Sequence, residues 1–260
     1  MMYLSEFFGD ADDEIIGCIH CKGARPLNKR MKMAFQPIVD VDTREVFAYE
    51  ALVRGENGES AWSVISAISQ EDMYTFDQTC RVLAIETAQR LGMQTYLSIN
   101  FLPNAVYEPA TCIRLTLAAG RKVGFPPERL IFEMTESEKI SDPAHALRII
   151  RDYQKRGFLT AIDDFGAGHS GLNLLADFQP HIVKLDMALT RDIDKDPVRQ
   201  AIVGGVIGTC RALGCRIVAE GVETREELDT LRQMGVHLIQ GYLLAMPALE
   251  ALPEPDYSVC

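Results

Sequence analysis

Residues 142–164, DPAHALRIIRDYQKRGFLTAIDD, read as one helix followed by one strand. Asp142 and Pro143 supply an N-cap and a first-turn proline, Leu147, Ile150 and Tyr153 fall on one face, and Gly157 closes the helix. The run Phe158–Ile162 is short and apolar, and it ends on Asp163-Asp164. The same unit recurs along the chain. Asp196 and Pro197 open another helix, with a buried stripe expected at Ile202, Val206, Cys210 and Leu213 and a stop at Gly214. Thr224 and Glu227 form a capping box ahead of Leu228, Leu231 and Met234, and Gly235 ends that helix. Further apolar runs lie at Ala34–Val39, Val46–Val53, Thr95–Ile99, Leu130–Met134, His181–Leu185, Cys215–Ala219 and Leu238–Ile239.

Strands alternating with helices call for a parallel sheet with helices outside it. About eight strands in roughly 250 residues favour closure into an α/β (β/α)8 barrel. One link breaks the rule. Val39 and Val46 are separated only by Asp40–Glu45, whereas a parallel crossover needs about a dozen residues or more. The first two strands are therefore expected to be antiparallel, in an irregular TIM barrel. No repeat or low-complexity linker divides this body, so residues 31–260 read as one domain. Residues 1–30 read as a separate leader of unknown role.

The composition, 47% hydrophobic and 24% charged over 260 residues, excludes disordered and collagen-like classes. A net charge of −11 argues against a general attraction for nucleic acid or an anionic membrane. An anionic substrate remains compatible where cations stand between it and the carboxylates. The seven cysteines, at 18, 21, 80, 112, 210, 215 and 260, form no regular framework, which suits a reducing compartment. The first residues lack the basic and apolar regions of a signal peptide, and no apolar run reaches the length of a membrane span. A cytoplasmic setting is expected.

The chemistry is read from what ends each run. The second strand carries Glu50 and Arg54, the third ends at Asn100, and the fourth holds Glu133 and then Glu136. The fifth ends in Asp163-Asp164, the sixth runs through Lys184 to Asp186, the seventh ends at Glu220 and the eighth at Gln240. In a barrel these positions converge at the C-terminal mouth, where active sites of this architecture lie. Carboxylates packed in one concavity are costly unless cations neutralise them. Oxygen ligands without His or Cys select hard ions such as Mg²⁺ or Mn²⁺. Adjacent Asp163 and Asp164 suit two ions, as phosphoryl-transfer sites use.

These residues resemble the EAL family of cyclic-di-GMP phosphodiesterases. The signature is Glu50-Ala51-Leu52-Val53-Arg54, followed in order by Ser98-Ile99-Asn100, Glu133-Met134-Thr135-Glu136, Asp163-Asp164-Phe165-Gly166, Val183-Lys184-Leu185-Asp186, Glu220-Gly221-Val222-Glu223 and Gln240-Gly241-Tyr242. The resemblance covers about residues 33–250. It implies a metal-dependent hydrolase that opens cyclic di-GMP to linear pGpG, and a homodimer. By that analogy Glu50, Asn100, Glu133 and Asp163 hold one ion, while Asp163, Asp164 and Glu220 hold the second. Lys184 orients or activates the attacking water. Gln36, Arg54, Asp186 and Gln240 meet the dinucleotide or its water, with Arg54 suited to phosphate by its planar fork. Glu136 anchors the glycine-rich segment Asp164–Gly171, and Glu223 also supports the site from behind. Calcium, larger and looser in coordination, is expected to inhibit.

His169 and Gly171 depart from the family's frequent residues without removing a ligand, and Gly55 and Met246 depart from them at the rim that contacts substrate. Cys18-Ile19-His20-Cys21 has too few ligands for a usual structural zinc site. His145, His181 and His237 lack catalytic partners at readable spacing, Asp12-Asp13 reads as a solvated charge cluster, and Trp62, Tyr74 and Phe76 read as packing between helix and barrel. The rival function is a catalytically silent cyclic-di-GMP receptor or protein-interaction module. Such members usually lose metal ligands, and this chain keeps them. A third reading, an enolase-type acid–base catalyst using Lys184, explains the carboxylates but not the ordered blocks.

Overall fold

The computed structural model describes residues 30–106, 108–136, 142–168 and 171–260. The leader's Cys18–Cys21 and Asp12-Asp13, together with His169, lie outside the described residues. Eight strands close into a barrel: β1 Met31–Asp40, β2 Glu45–Gly55, β3 Tyr96–Asn100, β4 Leu130–Thr135, β5 Leu159–Phe165, β6 Ile182–Leu185, β7 Arg216–Ala219 and β8 Leu238–Ile239. Neighbours from β2 to β8 are parallel, and β1 closes the ring antiparallel to both β2 and β8. A short β9, Ala248–Leu249, pairs with the other end of β1. The irregular TIM barrel expected from the short first link is thus the observed fold. In that link, Asp40 accepts from the amides of Asp42 and Thr43, and Arg44 takes a left-handed φ of 58° to reverse the chain.

Eight helices accompany the strands among the described residues: α1 Ala61–Ile65, α2 Met73–Arg90, α3 Pro109–Val123, α4 Pro143–Lys155, α5 Gly171–Asp177, α6 Met187–Thr190, α7 Pro197–Leu213 and α8 Arg225–Gln233. The caps read from sequence are present. Asp142 accepts from His145 N, Asp196 from Val198 N and Arg199 N, and Thr224 with Glu227 completes a capping box.

Two packing expectations are corrected. On α7 the buried face is Val203, Val206, Ile207 and Cys210, while Ile202 and Leu213 are 49% and 41% exposed. Both stripes pass through Val206 and Cys210 at helical spacing; contact with the barrel centres the buried one on the Val203–Ile207 side. Trp62 is 77% exposed, because the short α1 turns Val64 inward instead, against Met31 and Phe76. Tyr74 and Phe76 are buried as expected.

Inside the barrel the side chains form layers. Ile38, Ala48, Ile131, Ala161, Ile182, Val218 and Leu238, one from each strand but β3, make an apolar plug at the end away from the mouth, and Tyr96 of β3 packs on it. Moving two residues towards the mouth on each strand reaches Gln36, Glu50, Ser98, Glu133, Asp163, Lys184, Glu220 and Gln240. The period-two alternation of strands thus stacks a polar ring on an apolar floor.

The return from β8 passes very close to the loop after β7. A Cβ on Gly241 would lie 2.0 Å from the Val222 carbonyl oxygen and 2.5 Å from its nitrogen, both backbone atoms with little room to move. Gly208, within α7, has nothing within 4 Å of that position. Urea unfolding of metal-free protein should therefore show Gly241→Ala destabilised by about 1–3 kcal/mol. Gly208→Ala should be stabilised by about 0.5–1 kcal/mol, from lost backbone freedom in the unfolded chain.

Candidate active site

The polar ring centres on Lys184, whose side chain is 1% exposed. Its Nζ lies 3.2 Å from Glu50 Oε2, 2.9 Å from Glu133 Oε2, 2.8 Å from Asp163 Oδ1 and 2.7 Å from Glu220 Oε1. Four carboxylates thus meet one ammonium. Asp164, half-buried beside them, adds a fifth.

Amides and hydroxyls trim this cluster. Glu50 accepts from Asn100 Nδ2 at 3.0 Å and from Gln240 Nε2 at 2.7 Å. Gln240 also reaches Gln36 Oε1 at 3.3 Å, and Gln36 Nε2 donates to the Ala245 carbonyl at 3.1 Å. Glu133 accepts a short bond from Ser98, which is fully buried. Ser98 was not singled out from sequence as a site residue. Its signal was there, a hydroxyl one alternation before Asn100 inside an apolar run.

In a regular strand Asp163 and Asp164 would face opposite sides of the sheet. A bulge prevents this. Ile162 pairs with Val183 and Phe165 with Leu185, so two residues of β5 stand against Lys184 alone. Asp164 adopts a left-handed φ of 54°, a region Asp enters more readily than most residues. Carboxylate oxygens of Glu50, Glu133 and Asp163 can all lie within 4.8 Å of one another, as can those of Asp163, Asp164 and Glu220. Asp163 belongs to both groups.

Ionisation follows the imbalance. Burial opposes charge on Glu50, but Lys184 and the bonds from Gln240 and Asn100 hold its pKa below the usual value. Burial pushes Glu133 up to about 8, with Glu50 and Asp163 adding to the rise. Burial and then Asp163 raise Asp164 to about 6 and Glu220 well above the ordinary range. For Lys184, burial opposes the charge, yet the surrounding carboxylates raise its pKa. A cluster that one ammonium cannot neutralise, built only of oxygen donors, fits hard divalent cations.

The remaining expected residues lie around the ring. Glu136 is buried, and its carboxylate accepts from Gly166 N and Gly171 N, each at 2.7 Å, holding both ends of the glycine-rich segment. Asp186 caps α6 through Ala188 N. Arg54 folds back on the Val53 carbonyl at 2.8 Å. Glu223 pairs with Arg191 at 2.7 Å on the exposed rim, away from the cluster. Among the histidines, His181 Nδ1 accepts from Thr160 N and His237 pairs with Asp42; neither reaches the ring.

Comparisons with known proteins bear on the family and the fold. The sequence profile of the EAL domain family matches residues 24–247. From Escherichia coli (strain K12), the blue light- and temperature-regulated antirepressor BluF is 34% identical over 85% of this chain and 55% of its own length. The probable cyclic di-GMP phosphodiesterase PdeD of the same strain is 31% identical over 82% of this chain and 40% of its own. The chain therefore spans about half, or less, of these relatives. A standalone versatile EAL protein from Vibrio cholerae O395, solved with c-di-GMP bound, superposes with a TM-score of 0.87 at 52% identity, covering 90% of this chain and 98% of that one. Klebsiella pneumoniae BlrP1, in a complex with manganese and cyclic di-GMP, gives 0.83 at 36% identity, over 88% and 59%.

The ionisation pattern predicts a pH response. With raised pKa values, Glu133 and Asp164 hold protons in the folded state that the unfolded chain has already released. Folding then binds protons, so these groups make metal-free protein lose stability as pH rises from the ordinary carboxylate range towards 8. Cation binding needs the same oxygens deprotonated, so it strengthens over that interval. Thermal melts at pH 5.5, 6.5 and 8 should show the melting-temperature gain from Mn²⁺ over chelator growing with pH. A gain independent of pH would contradict the assignment.

Proposed function

The chain belongs to the EAL domain family, and on that premise we propose that it is a metal-dependent phosphodiesterase hydrolysing cyclic di-GMP to linear pGpG. The observation that carries this reading is the pair of carboxylate groups sharing Asp163. Glu50, Asn100, Glu133 and Asp163 would hold one Mg²⁺ or Mn²⁺, and Asp163, Asp164 and Glu220 the other. When bound, such ions supply a nucleophile usable near neutral pH and offset charge on the phosphodiester.

The protein's own groups have distinct tasks in this reading. Lys184, kept protonated by its neighbours, donates to the attacking water or the phosphate and orients it; with its pKa raised it is a poor proton acceptor. Arg54 swings from the Val53 carbonyl to give a phosphate two parallel bonds. Gln36 and Gln240, joined to each other and to Glu50, fix the side of the ring that faces the dinucleotide. Asp186, at the end of β6, meets the dinucleotide or its water from that strand end. Glu136, through Gly166 and Gly171, keeps the segment after Asp164 in place.

The reading also takes the protein as a cytoplasmic homodimer. Among the described residues no helix is long and apolar enough to cross a membrane. Exposed Leu172 and Met187, following β5 and β6, offer apolar surface to a second copy. The rival reading is a receptor that binds cyclic di-GMP without turnover. The retention of Glu50, Asn100, Glu133, Asp163, Asp164, Lys184 and Glu220 favours turnover.

Two measurements test the proposal. Asp163→Asn weakens both ion sites together, so pGpG formation should fall by at least on the order of 100-fold. The metal-free variant should melt no lower than wild type, because a carboxylate is removed from a crowded cluster. Near-normal turnover would sink the two-ion assignment. Exchanging ions separates enzyme from receptor. Ca²⁺ is larger than Mg²⁺ or Mn²⁺ and holds looser geometry, and misplacing the nucleophile by ~1 Å costs on the order of 10²-fold. Calorimetry should show cyclic di-GMP binding in Ca²⁺, with pGpG formed only in Mg²⁺ or Mn²⁺. Binding in every metal with product in none would establish the receptor.

A further inference from the structure

Behind the polar ring, outside the barrel wall, sits a second buried charge cluster unrelated to the sequence blocks above. Arg81 of α2 is 0% exposed. Its Nη2 lies 2.7 Å from Asp77 Oδ2, one turn earlier on the same helix, and its Nη1 donates to Tyr153 Oη of α4 at 2.8 Å. The guanidinium carbon lies 5.6 Å from the Phe101 ring centroid and 5.4 Å from that of Phe132. Those two rings meet edge to face at 89°, and each also packs on Tyr153. Asp77 uses its other oxygen to accept from the Leu102 amide at 3.0 Å.

These contacts fall on particular positions. Phe101 and Leu102 follow Asn100 directly, and Phe132 immediately precedes Glu133. The Phe101 amide donates to the Glu133 carbonyl at 2.9 Å, so the two strand ends are also tied to each other. Alternation puts Phe132 outside the sheet where Glu133 points in. The corner that turns Asn100 towards Glu50 is thus gripped from behind by Asp77, and the step that aims Glu133 is seated on Arg81.

A fully buried Arg–Asp pair is an expensive way to fill a core. Apolar residues of similar volume are often as stable or more so. What the pair offers is direction: a carboxylate that accepts one specific amide, and a planar cation that fixes two rings. We propose that Asp77, Arg81 and Tyr153 are positioning residues for the ion held by Glu50, Asn100, Glu133 and Asp163. They set where Asn100 and Glu133 present their oxygens, while touching neither ion nor substrate. The inference rests on the two-ion reading above.

The test compares two double variants that both remove the buried charges while keeping the core filled. Asp77→Leu with Arg81→Met abolishes the acceptor for Leu102 N; Asp77→Asn with Arg81→Met retains one. Mn²⁺ affinity by calorimetry, the melting temperature of chelated protein and pGpG formation are measured on each. The leucine pair should melt close to wild type, yet bind Mn²⁺ on the order of 10–100-fold more weakly, the range seen when groups supporting a ligand are lost. The asparagine pair should recover much of that affinity at a similar melting temperature. Wild-type affinity in the leucine pair, or equal losses in both pairs, would overturn the proposal. Amide exchange on wild-type protein gives a measurement independent of variant folding: Leu102 N–H should exchange slowly, and open-loop exchange there would overturn it too. Wild-type protein that binds no Mn²⁺ would overturn the two-ion reading itself, and the positioning role with it. Wild-type binding with unaltered variants would fault the positioning role alone.

Discussion

Lys184 brings one positive charge to a ring in which Glu50, Glu133, Asp163 and Glu220 each place an oxygen within 3.2 Å of its ammonium. Without it, four carboxylates at this depth would have only protons to relieve their repulsion. With it, the cluster is partly neutralised and can be packed. The remaining imbalance is distributed unevenly. Glu50, which receives amide protons from Asn100 and Gln240, keeps its charge, whereas Glu133 faces two other carboxylates and is driven towards the neutral form. The protein therefore folds around a charge deficit that divalent cations can fill, and the position of the deficit is set by where the amides are.

That deficit needs several oxygens on one side of β5, and a regular strand cannot supply them from consecutive residues. The bulge opposite Lys184 solves the geometric problem at the cost of a left-handed residue at Asp164. Strain of this kind persists only where the surroundings over-determine it. Here the restraint is specific. The Glu136 amide donates to the Asp163 carbonyl at 2.9 Å, and the Glu136 carboxylate grips Gly166 and Gly171 just downstream. One glutamate just past the neighbouring strand thus braces both sides of the distorted pair. In this chain a Cβ added at Gly168 or Gly171 would fall within about 3 Å of the Glu136 side chain.

Much of this was legible from residues alone. Caps at Asp142, Asp196 and Thr224 and stops at Gly157, Gly214 and Gly235 declared the helices, because capping is a local interaction. The short Asp40–Glu45 link declared the reversed first strand, because chain length forbids the alternative. Strand-end polar residues pointed to the mouth for the same local reason. What stayed hidden depends on partners distant in sequence. Ile202 and Ile207 are equally apolar, and only the barrel surface decides which faces it. Trp62 looked like core because nothing local reveals that α1 is too short to bury it beside Val64. Arg81 and Asp77 carry no local sign of burial, and only the meeting of α2, α4 and two strand ends buries them. The i, i+2 relation between plug and ring, such as Ile131 with Glu133 and Ile182 with Lys184, was present in the sequence. It becomes meaningful once the strands share a common axis.

The reversed β1 has a consequence for how the barrel connects to whatever precedes it. In a regular parallel barrel the first strand begins at the plugged end, so the chain arrives opposite the active site. Here Met31 pairs with Gly55, the last residue of β2, and Arg30 forms a 3.0 Å ion pair with Glu56. The chain therefore comes in at the mouth, beside the loop that follows Glu50 and Arg54. The same reversal inverts the sequence order of floor and ring on this strand alone, so that Gln36 precedes Ile38 while every other ring residue follows its plug partner. Gln36 still reaches Gln240, and through it Glu50, because the antiparallel register Gln36↔Glu50 brings the two residues level. A strand running the wrong way is thus accommodated without breaking the ring, and it moves the N-terminal connection from the plugged end of the barrel to its mouth.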